Sequence, residues 1–455
     1  MRIRDLKGKK VAVWGLGKEG LATLRVLRKA IPEQRVTVLN DSTLSGEDAD
    51  KLSELGVESV LTGTRIAESV SAFDIIVKSP GISRYRPEVK NAENEGVLVT
   101  SSTALWFGEH PNETTVCVTG TKGKSTTSSL ISYLLSAIGI RTALVGNIGA
   151  PILDMVTPDP LPDIWVIELS SYQTSDFEGS PSVSVLLNLY PEHLDWHRSA
   201  EIYYRDKLNL FAHTTTGFSV INYLDPVTNS LRFNFNNLVY FNNNSGIHSS
   251  NGFVCNGEKK LINVEGIGLR GEHNLSNVCA ALTAIQSVGV KPERCLSALC
   301  SFEPLPHRLM MLGDKDGVLY VDDSISTIPQ SAIAALKSFA GRPITILLGG
   351  YDRGLDFSEL AECLAEGMAF AIVTMPDTGQ KLAHEIRDAI RRKQPSRMPA
   401  LYEARDLTEA VYIAQSVTPV GGVILLSPAA PSYGKFKNYE ERGEMFADAA
   451  GIARL

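Results

Sequence analysis

The 455-residue sequence is poor in cysteine and has no long apolar run. Its six cysteines are scattered without Cys-x-x-Cys or Cys/His ligand spacing, which argues against a disulfide framework or a zinc site and is typical of reduced thiols. No segment approaches the roughly 18 apolar residues of a membrane span, and Lys18 and Glu19 interrupt the first apolar stretch. We therefore expect a soluble, cytoplasmic protein without a signal peptide or a membrane partner.

Positive charge is also scarce, because 44 Lys and Arg residues stand against 51 Asp and Glu residues, a formal net charge of −7. Such a chain has no global field for nucleic acid, so we expect no nucleic-acid partner and only local sites for anionic ligands. The composition, 44% hydrophobic and 21% charged, is that of an ordinary globular protein and excludes disorder as a description of the whole chain.

Short β-branched runs alternate with longer helical patterns, which predicts an α/β fold with mostly parallel sheets. Candidate strands lie at 10–14, 35–39, 74–78, 115–119, 164–168, 184–187, 344–348, 370–374 and 422–426. Residues 222–262, rich in Asn and Ser, are expected to form small antiparallel strands and loops. Since a domain averages roughly 150 residues, we predict three domains. Their expected bounds are 1–108, 109–310 and 311–455.

A glycine-rich turn, GLGKEG at 15–20, joins the first strand to the first helix. This GxGxxG pattern suits a phosphate at a helix N-terminus, and Asp41 follows the second strand where a ribose-binding carboxylate would lie. Ser79 and Gly81 follow a later strand of the same block. A turn that serves only helix–strand packing explains the glycines equally well, so both interpretations stay open.

The most informative segment is the phosphate loop at 119–126, TGTKGKST, between a β-branched strand and an apolar helix. Backbone amides of such a loop wrap phosphate oxygens, while Lys124 would reach the β- and γ-phosphates and Ser125 would ligate Mg²⁺. The loop is shorter than the common GxxxxGK[ST] pattern, because Val118 stands where the first glycine would be.

Three later residues have the chemistry of metal ligands or their neighbours. Glu168 ends an apolar strand, His193 lies in the segment PEHLDWH, and Lys207 lies on an amphipathic helix. Taken singly, each is explained as a strand-end cap, a loop histidine or a solvated lysine. Their order behind a phosphate loop favours a common site.

These motifs resemble those of the Mur ligases, the enzymes of peptidoglycan precursor synthesis. The resemblance rests on Lys207 and on GTKGKSTT (120–127), ELSSYQ (168–173), NLYPEHLDWH (188–197), GEHNLSN (271–277), PHR (306–308), DDS (322–324), LGGYDRG (348–354) and LLSPAAPSYGKFKNYEERG (425–443). It spans nearly the whole chain and implies a Rossmann-like N-terminal domain, a central P-loop ATPase domain and a Rossmann-like C-terminal domain. The last motif is most similar to the branch that adds glutamate to UDP-N-acetylmuramoyl-L-alanine.

The resemblance implies a monomeric enzyme that uses ATP and two Mg²⁺ ions to form an acyl phosphate, which the glutamate amine then attacks. The implied catalytic residues are Lys124, His193, Lys207 and Arg308. The implied ATP-binding residues are Gly120, Thr121, Lys122, Gly123, Lys124, Ser125, Thr126, Asn274, Arg308 and Asp323. The implied UDP-sugar contacts are Gly15, Leu16, Gly17, Asp41, Ser79, Gly81, Asn147, Ser170, Gln173 and His193. The implied metal ligands are Ser125, Glu168, His193 and Lys207, with Lys207 in the position of the family's carbamylated lysine.

The sequence departs from the D-glutamate-adding pattern on the amino-acid side. Residues 323–328 are DSISTI where those enzymes usually have DSKATN, and Arg353 replaces a lysine that grips a glutamate carboxylate. A planar guanidinium is not a conservative replacement for a point-charged ammonium. We therefore expect L-glutamate as the substrate, with D-glutamate as the alternative. The expected glutamate contacts are Thr327, Arg353, Ser432, Tyr433 and Tyr439.

Three other functions fit parts of the sequence. A non-catalytic nucleotide sensor would need only the phosphate loop, and a folylpolyglutamate-type ligase would share the central ATPase but lack the N-terminal block. A dehydrogenase would rest on the GLGKEG turn alone.

Overall fold

The computed structural model describes residues 1–43, 52–231, 234–269, 271–303, 306–352, 354–394 and 398–452. Contacts divide the chain into two compact units, Met1–Ile267 with Ser276–Phe302 and Gly268–Leu275 with Glu303–Leu455. The division passes through the helix Glu272–Ser287. Within the described ranges, no helix is both long enough and apolar enough to span a membrane.

The first sheet of the first unit is parallel and has five strands among the described residues. Its order is β3-β2-β1-β4-β5, formed by β1 (Val11–Trp14), β2 (Val36–Asn40), β3 (Ser59–Thr62), β4 (Ile75–Lys78) and β5 (Leu98–Ser101). The accompanying helices are Lys18–Ala30, Thr64–Ser69, Pro87–Asn94 and Ser102–Glu109, with 3₁₀ turns at Ile3–Leu6 and Val70–Ala72.

The second sheet of this unit has nine strands in the part of the chain that the structure describes. Its order is β14-β13-β12-β11-β10-β9-β6-β8-β7. The strands are β6 (Thr115–Thr119), β7 (Thr142–Gly146), β8 (Ile164–Glu168), β9 (Val183–Leu186), β10 (Phe218–Asn222), β11 (Leu238–Phe241), β12 (Ile247–Ser250), β13 (Phe253–Asn256) and β14 (Lys259–Asn263). Its helices are Lys124–Ala137, Ser171–Ser175, Leu194–His197, Ala200–Ala212, Pro226–Ser230, Leu296–Cys300 and part of Glu272–Ser287, with 3₁₀ turns at Ile152–Met155, Val264–Gly266 and Pro292–Cys295.

The antiparallel prediction for residues 222–262 is confirmed for β12 to β14 and wrong for β11. Strand β11 runs parallel to β10, in register from Ser219–Leu238 to Asn222–Phe241. Strands β12, β13 and β14 then form an antiparallel meander at the sheet edge. Their short, half-polar sequences do not distinguish a parallel neighbour from an antiparallel one.

The second unit contains one mixed sheet, with six strands among its described residues. Its order is β15-β16-β20-β17-β18-β19, from β15 (Met310–Lys315), β16 (Val318–Asp322), β17 (Ile344–Leu348), β18 (Ala371–Thr374), β19 (Ala400–Glu403) and β20 (Val423–Leu426). Strand β15 is antiparallel to β16, and the other pairs are parallel. The helices are Pro329–Ser338, Ser358–Ala365, Gly379–Lys393, Leu407–Val417 and Tyr439–Ala450.

The central strands are continuous apolar runs because helices cover both faces of the parallel sheets. All residues of β1, β4, β6 and β8 are buried. The predicted α/β fold is therefore confirmed. The predicted boundary near residue 108 stays a prediction, because the first two sheets belong to one compact unit.

The topology brings several predicted site residues to strand ends. In the first sheet the chain leaves the two neighbouring strands β1 and β4 at Gly15 and Ser79, and the Ser79 hydroxyl donates to the Gly15 carbonyl oxygen at 2.9 Å. In the second sheet, β6 leads into the phosphate loop while its neighbour β8 ends at Glu168. Such carboxyl-terminal crevices are where open α/β sheets bind ligands.

Candidate functional site

The phosphate loop needs its glycines. Gly123 has a φ of +86° at the start of the helix Lys124–Ala137, and a Cβ there would lie 2.3 Å from Asn277 Oδ1. Gly120 has a φ of +148°, and a Cβ would lie 2.9 Å from the Leu187 Cβ. Both backbone conformations are strained for L side chains, and both positions are crowded, so these glycines let the loop close tightly before the helix.

Two lysines converge on this loop. The Nζ atoms of Lys124 and Lys207 donate to the carbonyl oxygen of Gly120 at 3.0 Å and 2.8 Å. Lys207 is 1% exposed, and burial followed by the nearby Lys124 charge lowers its pKa well below the ordinary value. Both effects act against the protonated form of Lys207 beside the loop.

A third lysine of the loop is paired with a carboxylate that sequence reasoning did not select. Lys122 Nζ lies 3.1 Å from Glu192 Oε1. Burial acts to raise the pKa of Glu192, but Lys122, His193 and Lys124 lower it to about 2, so the carboxylate is ionised. The one signal in the sequence was its position directly before His193.

Glu168 has the surroundings of a cation ligand. Its side chain is fully buried, and Oε1 accepts a hydrogen bond from Asn147 Nδ2 at 2.7 Å. Oε2 is buried without a hydrogen-bond partner among the described residues. A buried carboxyl oxygen without a partner is costly unless a ligand completes its coordination. The donor set of Glu168 and the Ser125 hydroxyl therefore fits Mg²⁺, which prefers oxygen ligands.

His193 lies at the start of the short helix Leu194–His197 with a φ of +56°. Its Nε2 atom is 3.8 Å from Glu192 Oε2, and its ring centroid is 5.0 Å from that of Tyr172. Across the described ranges, no cluster of three or more His, Cys, Asp or Glu side chains could hold a metal ion. The predicted ligand set contains only two residues of these types, Glu168 and His193, so its assignment stays a prediction from sequence.

The predicted UDP-sugar residues have varied surroundings. The Asp41 carboxylate is 2.6 Å from Arg86 Nη1. Ser170 and Gln173 form a capping box at the helix Ser171–Ser175, and Gln173 Nε2 also donates to Glu19 Oε1 at 3.1 Å. Asp41, Ser170 and Gln173 therefore have protein partners, and their contacts with a UDP-sugar stay predictions from sequence.

In the second unit, Asp323 is a buried carboxylate with several donors. The hydroxyls of Ser326 and Ser427 donate to its Oδ2 at 2.5 Å and 2.7 Å, and Leu309 N donates to Oδ1 at 3.2 Å. Burial raises its pKa to about 6, against the lowering effect of these bonds. Nearby, Arg308 Nε is buried without a hydrogen-bond partner among the described residues. The Asn274 side chain is also buried in this unit.

The predicted glutamate residues differ in their exposure. Tyr433 is 58% exposed, and its ring centroid lies 6.2 Å from that of Tyr351. The backbone oxygen of Tyr439 accepts from the Ser324 hydroxyl at 2.8 Å, whereas Ser432 is buried. Arg353 lies outside the described residues, so its expected contact stays a prediction from sequence. Thr327 is half-buried.

A phosphate loop with converging lysines and a half-satisfied strand-end carboxylate defines a nucleotide-dependent enzyme. Family models match the chain in three places: a MurD-like N-terminal domain at 9–101, the Mur ligase middle domain at 118–285 and the glutamate ligase domain at 307–430. The chain belongs to the Mur ligase family. The predicted family and three-part Mur ligase fold are thereby confirmed.

Several relatives and solved structures are similar over almost their full length. UDP-N-acetylmuramoyl-L-alanine–L-glutamate ligase from Xanthomonas euvesicatoria pv. vesicatoria is 42% identical, covering 99% of this chain and 97% of its own. The protein of the same name from Salinispora tropica is 39% identical, covering 99% of each chain. The MurF ligase of Thermotoga maritima in complex with ADP has a TM-score of 0.58 at 16% identity, covering 99% of this chain and 96% of its own. The last likeness concerns the fold alone.

Proposed function

We propose that the protein ligates L-glutamate to UDP-N-acetylmuramoyl-L-alanine at the expense of ATP, in peptidoglycan precursor synthesis. The names of relatives with 39% to 42% identity support this substrate pair. The observation that carries the proposal is the convergence of Lys124, Lys207 and Glu168 on the ends of β6 and β8. This set suits phosphoryl transfer, in which charge neutralisation supplies most of the catalysis.

The reaction has two steps. A carboxylate oxygen of the lactyl-L-alanine group attacks the γ-phosphorus of ATP, and the bond to ADP breaks. The glutamate amine then attacks the acyl carbon, loses a proton and expels inorganic phosphate. In the first step, Lys124 neutralises charge on the phosphate oxygens and the loop amides hold them in place.

Mg²⁺ fits two places in this scheme and supplies positive charge against the phosphate oxygens when bound. Ser125 and Glu168 would hold one ion, and His193 with carbamylated Lys207 would hold the other. The lowered pKa of Lys207 supports carbamylation, because only the neutral amine adds to CO₂. That addition forms an N–C bond, releases one proton and turns the neutral amine into a carboxylate-like ligand.

The remaining assignments follow the family motifs. In the second unit, Asn274, Arg308 and Asp323 would bind ATP, and the predicted glutamate residues would recognise the amino acid. In the first unit, the loops after β1 and β4 would hold the UDP group. The protein would be a cytoplasmic monomer with three functional domains, at the bounds expected from sequence: 1–108, 109–310 and 311–455.

The decisive experiment supplies the purified protein with UDP-N-acetylmuramoyl-L-alanine, ATP and Mg²⁺, and offers L- and D-glutamate separately. We expect ligation of L-glutamate to be faster by roughly 30- to 150-fold, the value of one charge-assisted contact to a substrate carboxylate. Arg353→Ala should raise the KM for glutamate far more than the KM for ATP. A preference for D-glutamate, or equal rates, would defeat the L assignment, and no phosphate release with either would defeat the ligase assignment.

A further inference from the structure

A buried hydrogen-bond chain runs beside the proposed metal site and takes no part in the chemistry described above. His197 Nδ1 lies 2.7 Å from Asp206 Oδ2, and His197 Nε2 lies 2.9 Å from the Ser171 hydroxyl. The Tyr85 hydroxyl donates to the other Asp206 oxygen at 2.6 Å. The order Tyr85–Asp206–His197–Ser171 therefore joins three separate stretches of the sequence, since His197 and Asp206 are nine residues apart.

The Ser–His–Asp part has the connectivity of a hydrolase triad, but its burial excludes that role. Ser171, His197 and Asp206 are 3%, 0% and 4% exposed. A nucleophile needs access to its substrate, and Ser171 begins a helix inside the fold. Fully satisfied polar networks of this kind fix the geometry of their surroundings instead.

One end of this hydrogen-bond chain lies next to the proposed metal site. Asp206 directly precedes Lys207 on the helix Ala200–Ala212, and Ser171 follows Ser170 of the predicted UDP-sugar set. The Tyr172 ring stacks on that of His197, with centroids 5.6 Å apart, and lies beside His193. A shift of Asp206 would thus also move Lys207, the next residue of the helix.

The other end lies in the loop after β4, which contains the predicted UDP-sugar residues Ser79 and Gly81. Trp196 Nε1 donates to the Gly81 carbonyl oxygen at 3.1 Å, and the Ser83 hydroxyl donates to the Trp196 carbonyl oxygen at 3.0 Å. Burial, followed by the Asp206 hydrogen bond, raises the pKa of Tyr85 to about 12, so its hydroxyl stays a donor at neutral pH. The loop after β4 is therefore linked to the helix Ala200–Ala212 by a Tyr85 hydroxyl that stays protonated at neutral pH.

We infer that Tyr85, Asp206, His197 and Ser171 act as positioning residues that hold Lys207 in register and link its position to the UDP-sugar loop. This inference rests on the proposed function. It predicts that removing the Tyr85 hydrogen bond, which lies outside the metal site, lowers kcat and the amount of Lys207 carbamate. The binding of ATP and glutamate should not weaken.

The test compares Tyr85→Phe, which removes only the hydroxyl, with Tyr204→Phe, which removes a hydroxyl from the helix that carries Lys207. We expect Tyr85→Phe to lower kcat about tenfold, the value of one hydrogen bond to a charged group, with the KM values for ATP and glutamate within about twofold. The ¹³C NMR carbamate signal from labelled bicarbonate should fall in parallel, and excess bicarbonate should restore both. Tyr204→Phe should match the wild type.

A double-mutant cycle with Asp206→Asn provides the second measurement. Since both variants break the same link, their combined effect on kcat should be close to that of one alone. If Tyr85→Phe has the wild-type kcat, or if the two effects add fully, the inference is wrong while the ligase assignment stands. A wild-type enzyme that ligates neither glutamate enantiomer would instead defeat the proposed function.

Discussion

Lys124 and Lys207 direct their Nζ atoms to one backbone oxygen, that of Gly120, at 3.0 Å and 2.8 Å. The two side chains differ in burial, because Lys124 is half-buried and Lys207 is 1% exposed. Burial and the Lys124 charge lower the pKa of Lys207 well below its ordinary value, so Lys207 loses a proton more easily than a solvated lysine does. Lys124 is therefore suited to contact phosphate, and Lys207 is suited to carbamylation.

Lys124→Ala should therefore lower turnover by two or more orders of magnitude. Loss of one preorganised charge at the transition state costs about 3 kcal/mol. Binding of UDP-N-acetylmuramoyl-L-alanine should change less than about twofold, because its proposed contacts lie mainly on the loops of the first sheet. Phosphate release and titration calorimetry measure the two effects.

The matched control for this variant is Lys259→Ala. Lys259 is an exposed lysine that pairs with Glu293 away from the loop. It should keep wild-type turnover, since exposed ion pairs contribute little. Near-normal ligation by Lys124→Ala would contradict the assignment of the phosphate loop.

Lys207→Ala should be nearly inactive and partly rescued by acetate. A small carboxylate can enter the vacated space and supply the oxygen ligand that carbamylated Lys207 would provide. Bicarbonate should give no rescue, because the amine that adds to CO₂ is gone. Initial rates over a series of acetate concentrations measure this. Full activity of Lys207→Ala, or equal stimulation of Lys124→Ala by acetate, would rule out the second metal ligand.

The predictable part of this fold is its buried interior. Strands such as β6 and β8 are continuous apolar runs because both faces are covered, and such runs are visible in sequence. The edge strands β3 and β19 were not predicted, since their residues are mostly half-buried or exposed and carry no clear alternation.

The same contrast holds for the site. Lys124 and Glu168 could be predicted because Lys124 follows the loop after a buried strand and Glu168 ends another, where ligands meet an α/β sheet. The links from His197 to Ser171 and from Asp206 to Tyr85 could not, because only tertiary packing brings Ser171 and Tyr85 to the 197–206 stretch. Pairing of Asp41 with Arg86 was hidden for the same reason.

Asp323→Asn should stabilise the protein above pH 6 and cease to do so in acid. The pKa of Asp323 is raised from 3.8 to about 6 in the folded state, so between these values the folded state binds a proton that the unfolded state does not. Stability therefore rises as pH falls through this window, and above pH 6 the buried charge costs up to about 3 kcal/mol. Asparagine removes that charge, and the Ser326 and Ser427 hydroxyls can turn to accept from its amide.

Calorimetry without nucleotide should show a higher Tm for Asp323→Asn than for the wild type at pH 7.5, with the difference shrinking towards pH 4.5. Asp316→Asn, which removes an exposed carboxylate of the same unit, is the matched control and should show no such trend. The variant should also bind ATP more weakly if Asp323 holds the ribose, since a neutral amide is a weaker acceptor than a carboxylate. A Tm difference that is constant across pH would mean that Asp323 is not the group whose burial sets this dependence.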